Sequence, residues 1–238
     1  MSQDGAPELS ILMPVYNEAA RIERALAEVL ETEFPFPIEL VVVDDGSTDG
    51  TREWLGAYAW PANARLVLHD RNQGKGAAVR TGLAEARGAI SAVFDADLEY
   101  EPADLVGLVE PVRSGRANAV FGVRAFDGYT SHSFWFVMGN RLVTLVANVL
   151  FNVYLRDLMT CHKAVRTDVF RGLGLRADGF TIEPEIAARL IQSGERIYEV
   201  PVRYQARSSS EGKKLTARDG VRVLATLFRC RLGRSPRR

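Results

Sequence analysis

Two aspartates one residue apart, Asp95-Ala96-Asp97, close the apolar run Ala89-Ile90-Ser91-Ala92-Val93-Phe94. Side chains alternate along a strand, so residues i and i+2 share a face, and both carboxylates could converge on one hard cation. Oxygen donors of this kind suit Mg²⁺ or Mn²⁺, usually held by one or two carboxylates together with substrate phosphates. The competing reading is a helix N-cap, because Asp97 shortly precedes Pro102 and a helical pattern. Two other polar groups follow apolar runs: Pro14-Val15-Tyr16-Asn17-Glu18 and Asp44-Asp45-Gly46-Ser47. A tyrosine ring can lie against a nucleobase, and an aspartate can accept from base N–H groups. Taken singly, each group is ordinary turn or cap chemistry. Their recurrence at strand ends matches the edge where open α/β sheets bind nucleotides.

The elements that would hold these groups are legible as alternating patterns. Runs at residues 9–14, 39–44, 65–68, 89–94 and 119–121 read as strands; the second is β-branched and apolar on both faces, as in a buried parallel sheet. Helical patterns cover residues 18–31, 76–86 and 102–113, and another runs to Tyr58 from a cap at Ser47-Thr48-Asp49. Five alternations predict a doubly wound α/β half with a mostly parallel central sheet. Beyond Arg124 the regularity fails. Residues 126–136 read as a loop, 138–155 and 182–192 as helices, 196–204 as a last strand and 208–214 as a polar loop. A final helix over residues 216–232 puts Val221, Leu224, Ala225, Leu227, Phe228 and Leu232 largely on one face, beside Arg218, Arg222 and Arg229. The expected organisation is a flexible N-terminus (1–8), one α/β domain (9–215), and an amphipathic helix with a basic tail (216–238).

Bulk properties narrow the function. The 238 residues can bury a substantial core, and 30 basic against 30 acidic residues argue against a nucleic-acid binder. The balance is uneven along the chain: from Arg203 onward a run of arginines and lysines meets only Glu211 and Asp219. A basic end on a neutral body points to an anionic partner such as phosphates or a membrane surface. Cys161 and Cys230 form no disulfide framework or zinc spacing, and His69, His132 and His162 show no paired metal spacing. Met1 to Gly5 lacks the regions of a signal peptide. The longest apolar stretch, 142–155, is broken by Asn148 and Asn152, short of the ~20 residues that span a bilayer. The expected compartment is therefore the cytoplasm.

Four motifs stand in an order seen in glycosyltransferase family 2: Pro14-x-Tyr16-Asn17-Glu18, Val41-Val42-Val43-Asp44-Asp45-Gly46-Ser47-Thr48-Asp49-Gly50-Thr51, Asn72-x-Gly74-Lys75-Gly76 and Asp95-Ala96-Asp97-Leu98-Glu99. The chain resembles the dolichol- and polyprenyl-phosphate hexosyltransferase branch from about Leu9 to Phe228. Narrower motifs carry this: Gly122-Val123-Arg124, Gly139-Asn140-Arg141, residues 157–163, Gly179-Phe180-x-x-Glu183, and Arg207 followed by Glu211-Gly212-Lys213-Lys214-Leu215. The resemblance implies a GT-A fold, Rossmann-like and nucleotide-binding. It implies that Pro14, Tyr16, Glu18, Val43 and Asp45 line the nucleoside site, that Lys75, Asp95 and Ala96 lie at the diphosphate, and that Asp95, Asp97 and Glu99 hold Mg²⁺ or Mn²⁺. Glu99 is a departure, since dolichol-phosphate mannose synthases carry Gln there; Val123, often Ser in the family, is a milder one. Arg141 matches a basic family position only after a one-residue slip. Gly74-Lys75-Gly76-Ala77-Ala78 also begins like a dinucleotide fingerprint, but Val79 stands where a third Gly or Ala belongs. Lys75 is left either to approach a diphosphate or to face solvent.

By the same resemblance the donor is a nucleotide sugar, GDP-mannose or UDP-glucose. The acceptor is polyprenyl or dolichyl phosphate, met at the cytoplasmic membrane face, and the transfer is inverting. A sugar or protein hydroxyl acceptor would need a general base, and Glu183 or Asp157 would be the suspects. A phosphate monoester, with a second pKa of ~6, is already ionised; what it needs is cations, and Arg124, Arg207 and Lys214 join Asp97 as candidate catalytic residues. The last helix and its basic flank would rest on an anionic membrane surface, each basic residue contributing about 1 kcal/mol; the alternative packs that helix on the sheet. A sugar-phosphate nucleotidyltransferase would carry a Gly-rich loop after the first strand, which Pro14-Val15-Tyr16-Asn17-Glu18 does not supply. A non-catalytic membrane-binding module is the remaining alternative, and would not depend on Asp97.

Overall fold

The structure is a computed structural model, and it describes residues 6–124, 134–205 and 217–233. Arg207, Lys214, His132, the 208–214 loop and the basic tail beyond residue 233 lie outside the described residues. In chain order the elements begin β1 (Leu9–Val15), α1 (Ile22–Glu31), β2 (Ile38–Asp44), α2 (Thr51–Ala57), β3 (Ala64–Leu68), α3 (Lys75–Glu85), β4 (Ile90–Val93), α4 (Asp104–Arg113) and β5 (Ala119–Arg124). They continue α5 (Phe134–Phe151), β6 (Lys163–Arg166), α6 (Thr167–Gly172), α7 (Ile182–Gln192), β7 (Ile197–Val202) and α8 (Ala217–Leu232).

One seven-stranded sheet runs β3-β2-β1-β4-β6-β5-β7. Every neighbouring pair is parallel except the two made by β6, which is antiparallel to β4 and to β5. The alternation of side chains divides the core into two layers. Leu9, Ile11, Met13 and Val15 of β1 face Ile22, Leu26 and Val29 of α1 and Leu105, Leu108 and Val109 of α4. Leu12 of β1 and Val41 and Val43 of β2 face the other layer, with α3, α5, α7 and α8. A buried Leu or Ile contributes roughly 1.5–3 kcal/mol, so both faces are specified by pattern alone.

The five early strands fall where expected, within a residue or two, apart from β5, which runs three residues further. Two elements were not expected: β6, a four-residue strand whose first residue is a fully buried lysine, and the short α6. α1 starts at Ile22 rather than residue 18, because residues 18–21 are drawn aside into the loop contacts described below. α4 begins at Asp104, so Asp97 is not its cap, and the N-cap alternative for that residue is excluded. α5 begins at Phe134, inside the stretch expected to be loop. With 18 residues at a mean hydropathy of 1.5 it is long and apolar enough to cross a membrane, which the broken apolar stretch did not foretell. α8 packs on α5 and α7, burying Val223, Leu227 and Cys230 and leaving Val221, Phe228 and Leu232 exposed.

Candidate active site

Because β1, β2 and β4 are parallel and adjacent, their C-terminal ends share one edge, and the motifs after them meet there. The first two loops are tied to each other. Asn17 N–H donates to Ser47 Oγ (3.0 Å), Thr48 N–H to Asn17 Oδ1 (2.8 Å), Glu18 N–H to Thr51 Oγ1 (2.9 Å) and Ala19 N–H to Asp49 Oδ2 (3.0 Å). Asn17 adopts φ 55°, a left-handed conformation that Asn tolerates better than most residues. Asp49 also accepts from Thr51 N–H at 3.1 Å, so it holds the start of α2 from just outside the helix. Tyr16 is left 45 % exposed at this edge, and Glu18 sits beside Arg21 at 3.4 Å.

Three residues expected to line a ligand do so differently. Val43 is 1 % exposed and belongs to the core beneath α3, and Ala96 is 2 % exposed in the opposite layer. Both side chains are core; only their backbone can face a ligand. Asp45 is buried and already occupied: its carboxylate accepts from Gln73 N–H (2.9 Å) and Gly74 N–H (2.7 Å), and lies 2.7 Å from His69 Nδ1. It therefore anchors the loop that delivers Lys75. The glycines there permit close approach of another segment: a Cβ at Gly74 would overlap the Asp178 carbonyl oxygen, and one at Gly76 that of Ala177. The Asp178 carbonyl accepts from Gly76 and Ala77 N–H. The first N–H groups of α3 are thus satisfied by protein, unlike the open helix N-terminus of a dinucleotide fingerprint.

Lys75 turns inward. Its ammonium is 2.7 Å from Asp95 Oδ2, 2.9 Å from Glu183 Oε1 and 3.1 Å from Cys161 Sγ, with the side chain only 10 % exposed. Burial opposes the charge, but Asp95, Cys161 and Glu183 together hold the lysine well above its usual pKa. Glu183 is shared with a second lysine, Lys163, which also donates to the Thr160 carbonyl. Burial would raise the Glu183 carboxyl, yet Lys163 and Lys75 outweigh it and hold it below the usual range. His162, fully buried and stacked on Tyr100 with ring centroids 4.2 Å apart, is pushed down to about 3 by burial and then by Lys75 and Lys163. It is neutral at physiological pH.

Asp97 Oδ1 accepts the Glu99 N–H at 3.1 Å, closing a tight turn in which Leu98 takes φ 62°. Glu99, expected as a third metal ligand, points its carboxylate at Tyr204, whose hydroxyl donates at 3.0 Å. No group of three or more His, Cys, Asp or Glu side chains among the described residues is gathered closely enough to hold an ion. Two carboxylate-bearing residues with oxygen donors still fit Mg²⁺ or Mn²⁺, which borrow other ligands from water and substrate phosphates. Tyr204 lies under Arg124, 5.1 Å from guanidinium carbon to ring centroid. Arg124 is 7 % exposed, and Asp157 accepts from its Nε (2.7 Å), Nη2 (2.8 Å) and backbone N–H (3.3 Å). Asn140 Nδ2 donates to the same carboxylate at 3.1 Å. Burial would raise Asp157, but the Arg124 hydrogen bonds and charge, with Asn140, hold it lowered. The charge of Arg124 is thus matched from beneath rather than presented bare to an acceptor. Lys163, His69 and Cys161 were missed as members of this region. The quoted stretch 157–163 was the only signal for two of them, and nothing local marks His69.

A mostly parallel sheet with one antiparallel insertion, with polar loops and a D-x-D gathered at one edge, defines a GT-A glycosyltransferase fold. Residues 10–174 match the family described as Glycosyl transferase family 2, and the chain belongs to that family. Relatives include glycosyltransferase AglJ of Haloferax volcanii, 30 % identical over 222 residues, covering 92 % of this chain and 70 % of the relative. The dolichol-phosphate mannosyltransferase of Pyrococcus furiosus is 27 % identical over 87 % of this chain, which spans 59 % of that enzyme. The dodecaprenyl-phosphate galacturonate synthase of Rhizobium johnstonii is 29 % identical, covering 93 % of this chain and 67 % of its own. Among solved structures, glucosyl-3-phosphoglycerate synthase from Mycobacterium tuberculosis, in complex with Mn²⁺, UDP and glucosyl-3-phosphoglycerate, superposes with a TM-score of 0.72. At 21 % identity over 94 % of this chain and 80 % of that one, it supports the fold.

Proposed function

We propose that this family 2 glycosyltransferase moves a hexose, mannose or glucose, with inversion, from GDP-mannose or UDP-glucose to polyprenyl phosphate. The observation that most supports an ionised phosphate acceptor is the state of Glu183 and Asp157. Each of these carboxylates, the two suspects for a hydroxyl-activating base, is buried, ion-paired and held below its usual pKa, the opposite of what a general base near neutral pH requires. A phosphate monoester needs no such base. The sugar acceptors named for the Pyrococcus and Rhizobium relatives, dolichol phosphate and dodecaprenyl phosphate, point the same way.

In this reading Pro14, Tyr16, Glu18 and Asp45 shape the nucleoside end, Asp45 by holding the 73–75 turn. Asp95 and Asp97 hold Mg²⁺ or Mn²⁺, which would neutralise charge building on the departing diphosphate. Arg207 and Lys214 are assigned to the acceptor phosphate, with Arg124 fixing the floor beneath Tyr204. The protein rests on an anionic membrane: α5 carries no acidic residue and exposes Trp135, Leu142, Leu145 and Val149, and exposed Arg141, Arg218, Arg222 and Arg229 lie on it or on α8. Because Val143 and Ala147 of α5 belong to the core, we assign it to the membrane surface plane rather than to a span. The deciding experiment incubates the protein with radiolabelled GDP-mannose or UDP-glucose, Mg²⁺ or Mn²⁺, and either polyprenyl phosphate or hydroxyl acceptors. Label in the lipid phosphate is the expected result; label only in a hydroxyl acceptor would overturn the reading.

A further inference from the structure

We propose that Lys75 is a built-in counter-ion for Asp95, occupying that carboxylate until a nucleotide diphosphate arrives, and so coupling metal binding to nucleotide binding. The inference rests on the proposed metal role of Asp95 and Asp97. It is carried by the geometry of Lys75, whose ammonium bridges Asp95 Oδ2 at 2.7 Å and Glu183 Oε1 at 2.9 Å. With Lys163 bound to the other oxygen of Glu183, two buried ammonium groups face two carboxylates, and the cluster is electrically balanced as it stands. A divalent cation arriving alone at Asp95 must therefore contend with a fixed positive charge that already holds that carboxylate. A diphosphate changes the balance, because it brings negative charge that can draw the lysine off Asp95 while adding oxygen ligands for the ion.

Lys75 is well placed for such an exchange. It is the first residue of α3, delivered by a turn that Asp45 holds through Gln73 and Gly74. Its backbone is thereby fixed while a long, flexible side chain can change partners. Glu183 keeps Lys163 as a partner when Lys75 leaves, so the departure does not strand a buried carboxylate without a cation. Residues 75, 95 and 183 come from α3, the loop after β4 and α7, and their meeting at one ammonium is a tertiary feature.

The test is Mn²⁺ binding followed by electron paramagnetic resonance of the free ion, without nucleotide and with saturating UDP or GDP, together with calorimetric titration of the nucleotide with and without Mn²⁺. Wild type is expected to bind Mn²⁺ at least about fivefold more tightly with its nucleotide, the lower end of usual coupling between sites. Lys75→Met should tighten Mn²⁺ binding in the absence of nucleotide by up to the wild-type coupling factor, about fivefold or more, and shrink that factor equally in both titrations, as linkage requires. Lys75→Arg should restore weak binding of Mn²⁺ alone. A purely structural lysine predicts the reverse, since disrupting the cluster would weaken metal binding in every condition. Unchanged or weaker Mn²⁺ binding in Lys75→Met, or wild type without coupling, overturns the inference while leaving the metal site intact. Absence of Mn²⁺ binding to wild type even with nucleotide overturns both.

Discussion

Replacing Asp157 by alanine should be among the most destabilising single changes in the chain, and the structure gives its size. The residue is 1 % exposed and accepts from three Arg124 groups and from Asn140, at 2.7 to 3.3 Å. Its removal takes that carboxylate away from a guanidinium that is itself 7 % exposed. Breaking a buried pair from one side costs about 3–5 kcal/mol. For a chain of this length about 1 kcal/mol lowers the melting temperature by roughly 2–4 °C, so the expected drop is roughly 6–20 °C. Differential scanning calorimetry measures it directly. The same reasoning makes the double variant Arg124→Met with Asp157→Leu much closer to wild type, because an apolar pair of similar volume removes both desolvated charges. A drop below about 3 °C in the single variant, or a double variant no better than it, would refute the account of this pair as one electrostatic unit.

Asp97→Asn should abolish sugar transfer while leaving the melting temperature within about 2 °C, since Asp97 is half-buried and asparagine keeps the Oδ1 that accepts the Glu99 N–H; retained turnover in the radiolabel assay would sink the metal assignment. Leu142→Asp with Leu145→Asp should lower cosedimentation with anionic vesicles at least tenfold, given roughly 1.5–3 kcal/mol per buried leucine, and spare turnover on a short-chain acceptor; unchanged cosedimentation would remove α5 from the membrane surface. For His162, the folded value of about 3 lies below the ordinary 6.5. The unfolded chain therefore takes up the proton first, and stability falls as pH drops from 6.5 toward 3, by up to about 1.4 kcal/mol per pH unit. His162→Phe, which keeps a ring on Tyr100, should flatten that slope in urea titrations between pH 4 and 7; parallel slopes would show that His162 is not its source.

The central strands were legible as continuous apolar runs because both sheet faces are buried, as with Val41, Val42 and Val43, all at 1 % exposure or less. The loops after β1, β2 and β4 were legible as motifs, and topology alone then placed them on one edge. β6 was not, because Lys163-Ala164-Val165-Arg166 is short and opens on a charge, and the carboxylate that balances that lysine in the core, Glu183, comes 20 residues later. For the same reason Lys75 read as a surface or diphosphate group: Asp95 and Glu183 reach it through the fold, not through sequence neighbours. For Glu99, spacing shows proximity to Asp97 but not the tyrosine, 105 residues away, whose hydroxyl donates to its carboxylate.

The antiparallel β6 lies between β4 and β5, which have no contact as neighbours in the sheet. During synthesis β5 is complete about 40 residues before β6 emerges, an interval of roughly 2–8 s at ordinary elongation rates. For that time β4 keeps one edge open and β5 both, since its other neighbour, β7, comes later still, and each can pair with the wrong partner. One four-residue strand then closes the facing edges of β4 and β5 at once, leaving β7 to cover the other side of β5. A chain cut before residue 163 is accordingly expected to aggregate rather than persist as a folded half, so the loops after β1, β2 and β4 depend for their footing on a strand made long after them.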